Sequence, residues 1–184
     1  WNYLCYLYKI KKNHMIKCFF FDRDGVLIKN YGYFCNKDKI KWLNGAIKAI
    51  KILNKYKIKV VVVTNQSGIA RGYFTENQLK DFHEFMNFKL AKYNAKINNF
   101  YYCPYHPKGK IKKYSKKSKL RKPENGMLLN AIKKLKIHYE ECFMIGDKKT
   151  DYLCARKTKV SFEYKKKYSL DKQVVKILKK SNVI

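Results

Sequence analysis

Hydrophobic and polar positions follow two rhythms along this chain. Four short runs are almost continuously apolar: Ile16–Phe21, Val60–Val63, Phe100–Cys103 and Cys142–Ile145. Runs this short, rich in Val, Phe and Tyr, predict strands buried on both faces of a parallel sheet. Between them the apolar residues recur at helical spacing. Positions 46, 47, 50 and 53 form a stripe on a helix over Gly45–Tyr56. Thr75-Glu-Asn-Gln78 has the capping-box pattern and opens a helix reaching about Tyr93. Further helices are predicted over Gly126–Leu135, from just after Gly146-Asp147 to about Lys157, and over Leu170–Lys180. A weak strand falls near Ser161–Tyr164, and residues 104–122 form a basic loop.

Strands alternating with helices predict an α/β fold, a parallel sheet covered by helices on both faces. The chain has 184 residues, enough for one domain with a sizeable core. No internal repeat or linker divides it, so residues 15–184 are expected to form a single domain. Met15 stands directly before the first strand, and residues 1–14 are expected to be an extension outside the fold.

No apolar run reaches the roughly 18–20 residues of a membrane span. The stretch Tyr3–Ile10 is short and lacks a small-residue cleavage site, which argues against a signal peptide. The six cysteines, Cys5, Cys18, Cys35, Cys103, Cys142 and Cys154, show no C-x-x-C spacing. Cys18 and Cys142 lie in strand-like runs, where the thiol packs as a small hydrophobe. A reduced, cytoplasmic protein is expected.

The formal net charge of +30 raises the question of a polyanionic partner. Of 43 basic residues only four are arginine, Arg23, Arg71, Arg121 and Arg156, while lysine is spread over nearly every segment. Two readings stand: codon drift in an AT-rich genome, with Lys replacing Arg wherever a bare charge suffices, or a selected anionic partner. Only Arg offers a planar fork of donors, so the surviving arginines mark places where geometry matters.

The chemistry gathers at strand ends, where parallel sheets bind ligands. Seven of the 13 acidic residues are Asp, and four of these fall in two blocks, Asp22-Arg-Asp24-Gly and Gly146-Asp147-Lys-Lys-Thr-Asp151. Thr64 and Asn65 end the strand between them. Strand-end aspartates also serve as turn formers and helix caps. Carboxylates converging from two strand ends would repel one another, and a hard oxygen-seeking cation such as Mg²⁺ relieves that repulsion. Phosphoryl transfer needs a nucleophile, a proton carrier and positive charge around the phosphoryl oxygens. Asp22 can attack phosphorus and Asp24 can carry the proton. Asp147 can hold the metal, while Thr64 and Lys122 can donate to the transferring group.

Phe-Phe-Asp22-Arg-Asp24-Gly-Val resembles the first motif of haloacid dehalogenase-type phosphatases. Thr64 matches their second motif, Lys122 the third and Gly146-Asp147-x-x-x-Asp151 the fourth. Four further strings carry a narrower resemblance. They are Val62-Val-Thr64-Asn-Gln-Ser67-Gly-Ile-Ala-Arg71-Gly-Tyr-Phe-Thr75-Glu with Asn30-Tyr-Gly-Tyr33, Cys103-Pro-Tyr-His106-Pro, and Arg121-Lys122-Pro123. Over roughly residues 15–160 the chain is similar to the D-glycero-D-manno-heptose 1,7-bisphosphate phosphatases and to their relative, the histidinol-phosphatase domain. The resemblance implies a Rossmann-like three-layer fold without a large cap domain. It also implies an aspartyl-phosphate mechanism, with Asp22 as nucleophile and Asp24 as acid/base. Mg²⁺ would be held by the side chains of Asp22 and Asp147 and the carbonyl of Asp24. Substrate contacts are implied at Asn30, Tyr31, Gly32, Tyr33, Thr64, Asn65, Gln66, Ser67, Arg121, Lys122 and Lys148. The implied reaction removes the C7 phosphate of the heptose bisphosphate, in lipopolysaccharide precursor synthesis. Arg71 suits either this site or a salt bridge near a helix, and Asp151 either orients the site or caps the next helix.

The chain departs from the family in the loop after the third strand, where many members hold a structural zinc. Cys103 is present, but Tyr105, Ser118 and Leu120 stand at the other ligand positions. Cys103 and His106 give two ligands against the four of a closed site, so zinc is not expected. The loop must then be ordered by packing or remain mobile, and the lysines of 112–119 favour mobility. The segment after Asp151 also lacks the family's small, Gly-rich continuation, which leaves the last strand and helix in question. The competing functions are histidinol-phosphate hydrolysis, a phosphatase for nucleic-acid 3′ ends, and a decayed copy serving as a basic binding protein. A small phosphorylated sugar, no membrane, no specific nucleic acid and a monomeric state are the expected partnerships.

Overall fold

The computed structural model describes residues 15–184; the proposed extension 1–14 lies outside the described residues. Five strands, β1 (Cys18–Phe21), β2 (Lys59–Asn65), β3 (Asn99–Cys103), β4 (Cys142–Gly146) and β5 (Ser161–Tyr164), form one sheet in the order β3-β2-β1-β4-β5. Every pairing is parallel, with Phe19 beside Val60 on one flank and Phe143 on the other. The helices are α1 (Ala46–Lys55), α2 (Glu76–Ala91), α3 (Gly126–Leu135), α4 (Lys149–Thr158) and α5 (Leu170–Lys180). The last strand and helix, questioned on sequence, are both present.

Alternation of side chains along β1 explains the three layers. Phe19 and Phe21 point to one face and join Val60, Val62 and Ile145 with Ala46, Ile50 and Leu53 of α1, Phe82 and Met86 of α2, and Leu170 and Val174 of α5. Cys18 and Phe20 point to the other and meet Val61, Val63 and Met144 with Met127, Leu128 and Ala131 of α3, and Cys154 and Ala155 of α4. Both faces are therefore apolar, and β1 is buried along its whole length. The capping box forms as predicted: Thr75 Oγ1 accepts from Gln78 N at 3.2 Å, and Gln78 Oε1 from Thr75 N at 2.8 Å. No helix of the described residues is long and apolar enough to cross a membrane.

The strand order decides where a ligand can sit. Chain connections run outward from β1 through β2 to β3 on one side, and from β4 to β5 on the other. The loops leaving β1 and β4 thus diverge and open a crevice at the carboxyl ends of the two strands. Phe20→Ala would empty a fully buried site between β1 and α3. It is expected to lower unfolding free energy by about 3–5 kcal/mol, read as the shift of a denaturant midpoint.

Candidate active site

Asp22 follows β1 directly, and its N–H donates to Ile145 O of β4 at 3.2 Å. Asp147 follows β4, and Asp151 lies one turn into α4. Oxygens of these three carboxylates lie within 4.8 Å of one another. A Cβ on Gly25 would stand 2.3 Å from Asp147 Oδ2, and the residue's φ of +88° lies in the left-handed region, so both space and backbone demand glycine there. Reduced solvation pushes the Asp147 carboxyl up to about 6, and Asp22 beside it adds to the effect.

Lys122 answers this charge from the far end of the 104–122 loop. Its Nζ lies 3.0 Å from Asp22 Oδ1 and 2.6 Å from Asp151 Oδ1, and it donates to Val63 O at 2.7 Å. Burial alone would lower the ammonium's pKa; the two carboxylates outweigh burial and raise it. Asn65 holds the lysine's backbone in place: its Oδ1 accepts from Lys122 N at 3.0 Å and its Nδ2 donates to Lys122 O at 2.9 Å. Asp151 performs both tasks considered for it. Its Oδ1 pairs with Lys122, while its Oδ2 accepts from the N–H groups of Asp147 and Lys148, tying down the start of α4.

Asp24 is held from behind. Arg23 Nε donates to Asp24 Oδ1 at 3.2 Å and Nη2 to Oδ2 at 3.0 Å. Gln66 Nε2 donates to Asp24 Oδ2 at 2.9 Å and to Thr64 Oγ1 at 2.8 Å. A cavity of about 380 Å³ opens over Asp24, lined further by Asn30, Gly32, Tyr33, Asn65, Gln66, Ser67, Arg121, Lys122 and Lys148. Of the sequence candidates for substrate contact, Thr64 and Tyr31 do not line it; Thr64 Oγ1 accepts from Gln66, and the Tyr31 ring packs on Phe34 at 5.1 Å, with Lys29 Nζ 5.1 Å from the ring centre. Asn65 and Gln66 line the cavity but spend their side chains on Lys122 and on Asp24, Thr64 and Arg23.

Positive charge dominates the rim. Arg121 donates to Tyr105 O at 3.4 Å, and burial, with Arg71 nearby, lowers its pKa. The Arg71 guanidinium lies 5.2 Å from the centre of the Tyr33 ring, which itself stacks on Tyr73 at 4.8 Å. No salt bridge to Arg71 forms among the described residues, contrary to one of its two readings. Desolvation lowers the His106 pKa, as do the charges of Arg121, Arg71 and Lys108.

Residues 104–122 are joined to the rest of the fold by hydrogen bonds, which favours ordering by packing over the mobility expected from the lysine run. Glu76, the first residue of α2, accepts from Tyr102 Oη at 2.7 Å and from Tyr114 Oη at 2.6 Å. Ile111 N donates to Ala70 O at 2.9 Å and His106 N to Tyr114 O at 3.1 Å. The lysine run suggested mobility because its charges are solvated; the contacts that hold the loop come from Tyr114 within it and from α2. Cys103 Sγ contacts Tyr105 O at 3.8 Å, and His106 Nδ1 accepts from Lys108 N. Three functional-site neighbours went unassigned on sequence. Glu76 could have been noticed as an acid in a chain with few, Arg23 by its place between two aspartates, and His83 by standing among the apolar positions Leu79, Phe82 and Met86 of α2.

Carboxylates gathered at the switch point of a parallel three-layer fold define a haloacid dehalogenase-type hydrolase. The family model described as Polynucleotide kinase 3 phosphatase matches residues 17–177. The chain is 46% identical over 137 residues to the D-glycero-beta-D-manno-heptose-1,7-bisphosphate 7-phosphatase of Haemophilus influenzae, covering 74% of each chain. It is 40% identical over 140 residues to the enzyme of the same name from Escherichia coli K12, covering 76% of this chain and 73% of that one. The solved structure of D,D-heptose 1,7-bisphosphate phosphatase from B. bronchiseptica, complexed with magnesium and phosphate, shares the fold. The TM-score is 0.72 at 24% identity, over 90% of this chain and 99% of that one. The chain belongs to the heptose-bisphosphate phosphatase family of this class, and it is a phosphatase.

Two outcomes follow from the site's electrostatics. Because the Asp147 pKa is raised above its unfolded value, its ionisation costs stability as pH rises from about 4 to 6, and the cost is fully present at pH 7. Asp147→Asn should therefore raise the melting temperature of the metal-free protein at pH 7, while the rise that Mg²⁺ gives the parent protein should vanish. Glu76→Ala should accelerate tryptic cleavage within 112–119 several-fold with little change in melting temperature; an unchanged rate would show that Glu76 does not hold the loop.

Proposed function

We propose that the protein is a Mg²⁺-dependent phosphatase that removes the C7 phosphate of D-glycero-D-manno-heptose 1,7-bisphosphate through an aspartyl-phosphate on Asp22. This places it in the cytoplasmic supply of heptose for lipopolysaccharide. The observation that carries the reading is a cavity lined by Asp24, Lys122, Arg121 and Lys148, with Asp22 ion-paired to that same Lys122. Three cations around one small cavity suit a molecule carrying more than one phosphate. The names of the relatives at 46% and 40% identity support the sugar bisphosphate.

The mechanism follows from where the groups stand. Asp22 Oδ1 is paired with Lys122, which orients the nucleophile and sets an ammonium beside the incoming phosphoryl oxygens. Thr64 Oγ1 accepts from Gln66, leaving its own proton free to donate to the phosphoryl group. Asp24 passes a proton to the departing sugar oxygen and later takes one from the water that cleaves the acyl phosphate. The clustered carboxylates of Asp22, Asp147 and Asp151, with the Asp147 pKa pushed up by reduced solvation and by Asp22, fit a hard divalent ion. Asp22, Asp147 and the carbonyl of Asp24 would hold Mg²⁺, which offsets phosphate charge when bound. Asp151 is committed to Lys122 and to two backbone amides, and acts by orientation. Zinc has no part in this reading, because Tyr105, Ser118 and Leu120 stand where the family's other ligands would be.

Phosphate release should be measured with Mg²⁺ on the heptose bisphosphate, histidinol phosphate and a 3′-phosphorylated oligonucleotide. The bisphosphate is expected to give the highest kcat/KM; preference for the oligonucleotide would favour the activity named in the matching family model. Asp22→Asn should abolish turnover with the fold intact, and Asp24→Asn should cost about 10²–10⁴-fold. Near-normal turnover by Asp22→Asn would exclude the covalent route.

A further inference from the structure

Arg23 sits between the two aspartates of the first block, yet none of its surface reaches solvent. One edge of the guanidinium is the fork on Asp24 described above. Nη2 also donates to Gln66 Oε1 at 3.0 Å and Phe34 O at 3.3 Å, and the Phe82 ring centre lies 4.9 Å from its carbon. The remaining nitrogen, Nη1, lies 3.3 Å from Nε2 of His83. A guanidinium has donors and no acceptor, so this contact requires a lone pair on Nε2. His83 is thereby the neutral tautomer with its proton on Nδ1. Burial, and secondarily the charge on Arg23, drives its pKa well below the ordinary histidine value, in keeping with that tautomer. The imidazole is locked in plane: it stacks on Phe100 of β3 with centroids 4.2 Å apart and planes 10° from parallel.

We propose that His83 is a positioning residue for Asp24, acting through Arg23: the imidazole fixes the guanidinium, and the guanidinium fixes the plane of the acid/base carboxylate. A buried arginine with a free Nη1 could rotate about its last bonds, and both Asp24 oxygens would turn with it. With Nη1 held by a ring that cannot tilt, the fork stays in register and Asp24 keeps one orientation towards the cavity. His83 touches no substrate; it acts on the proton transfers of Asp24, and kcat/KM reads the first of them, in which Asp24 gives up its proton to the leaving oxygen. The inference rests on the reading of Asp24 as proton carrier, and its test separates the two.

A sugar phosphate leaves as an alkoxide and needs that proton; p-nitrophenyl phosphate leaves as a stabilised phenolate and does not. In the full-length protein with Mg²⁺, kcat/KM is to be compared for the heptose bisphosphate and p-nitrophenyl phosphate. His83→Leu, which keeps bulk but offers no acceptor, should lose about 10- to 10²-fold on the sugar ester, the scale of a misplaced catalytic group. On the aryl ester it should lose less than about threefold. KM for the sugar should stay near its parent value. His83→Gln, whose Oε1 can accept from Nη1, should recover most of the loss. Equal losses on both esters, no loss, or failure of His83→Gln to recover would overturn the proposal. Should His83→Leu not fold, Arg23→Lys, which keeps the charge but not the fork, must show the same ester dependence. Asp24→Asn serves as reference: if it too strikes both esters alike, the role of Asp24 as proton donor fails. If Asp24→Asn discriminates and His83→Leu does not, only the role of His83 fails.

Discussion

Lys122 is the only buried lysine among the described residues, and it is wedged between Asp22 and Asp151 where three carboxylates converge. Without that ammonium, the buried carboxylates of Asp22 and Asp151 would lose the ion pair they share, a cost on the order of several kcal/mol in a medium of low polarisability. The arrangement around the site follows from meeting that need. The loop after β3 has to return to the sheet so that residue 122 arrives at the crevice, and Asn65 clasps its backbone from β2. Asp151 has to lie in the first turn of α4, where it faces both the lysine and the two exposed amides of the β4 turn. At Asp147 reduced solvation, and next to it the charge of Asp22, makes the carboxyl hold a proton more tightly than usual.

A second constraint is directional. In a chain with 43 basic residues, three of the four arginines stand around the site. Arg23 spans two oxygens of Asp24 while reaching Gln66, Phe34 and His83, a planar fork that lysine lacks. Arg121 lines the cavity while donating to Tyr105 O, and the Arg71 guanidinium lies 5.2 Å from the centre of the Tyr33 ring. The lysines of residues 112–119 contribute charge, while two tyrosine hydroxyls on one glutamate, and Lys122 at the loop's end, supply the anchoring. Charge and order are thus separate properties of this loop, and the sequence run revealed only the first.

The sequence by itself determined the layers and the place of the chemistry. Runs such as Val60–Val63 can only be strands buried on both faces, Thr75-Glu-Asn-Gln78 can cap a helix using neighbours alone, and aspartates directly after such strands must lie at the sheet's carboxyl edge. These are local consequences of periodicity and turn chemistry, which is why β5 and α5 formed where expected despite the unusual residues before them. The tertiary structure alone decided which side chains are free to act. Asn65 and Gln66 read as substrate contacts, yet their amides are taken by residues 57 and 42 positions away. Tyr31 turned from the cavity onto Phe34, and His83, 60 residues from Arg23, became its acceptor. A hydrogen bond between distant residues depends on how closed loops bring two surfaces together, and no local spacing encodes that geometry.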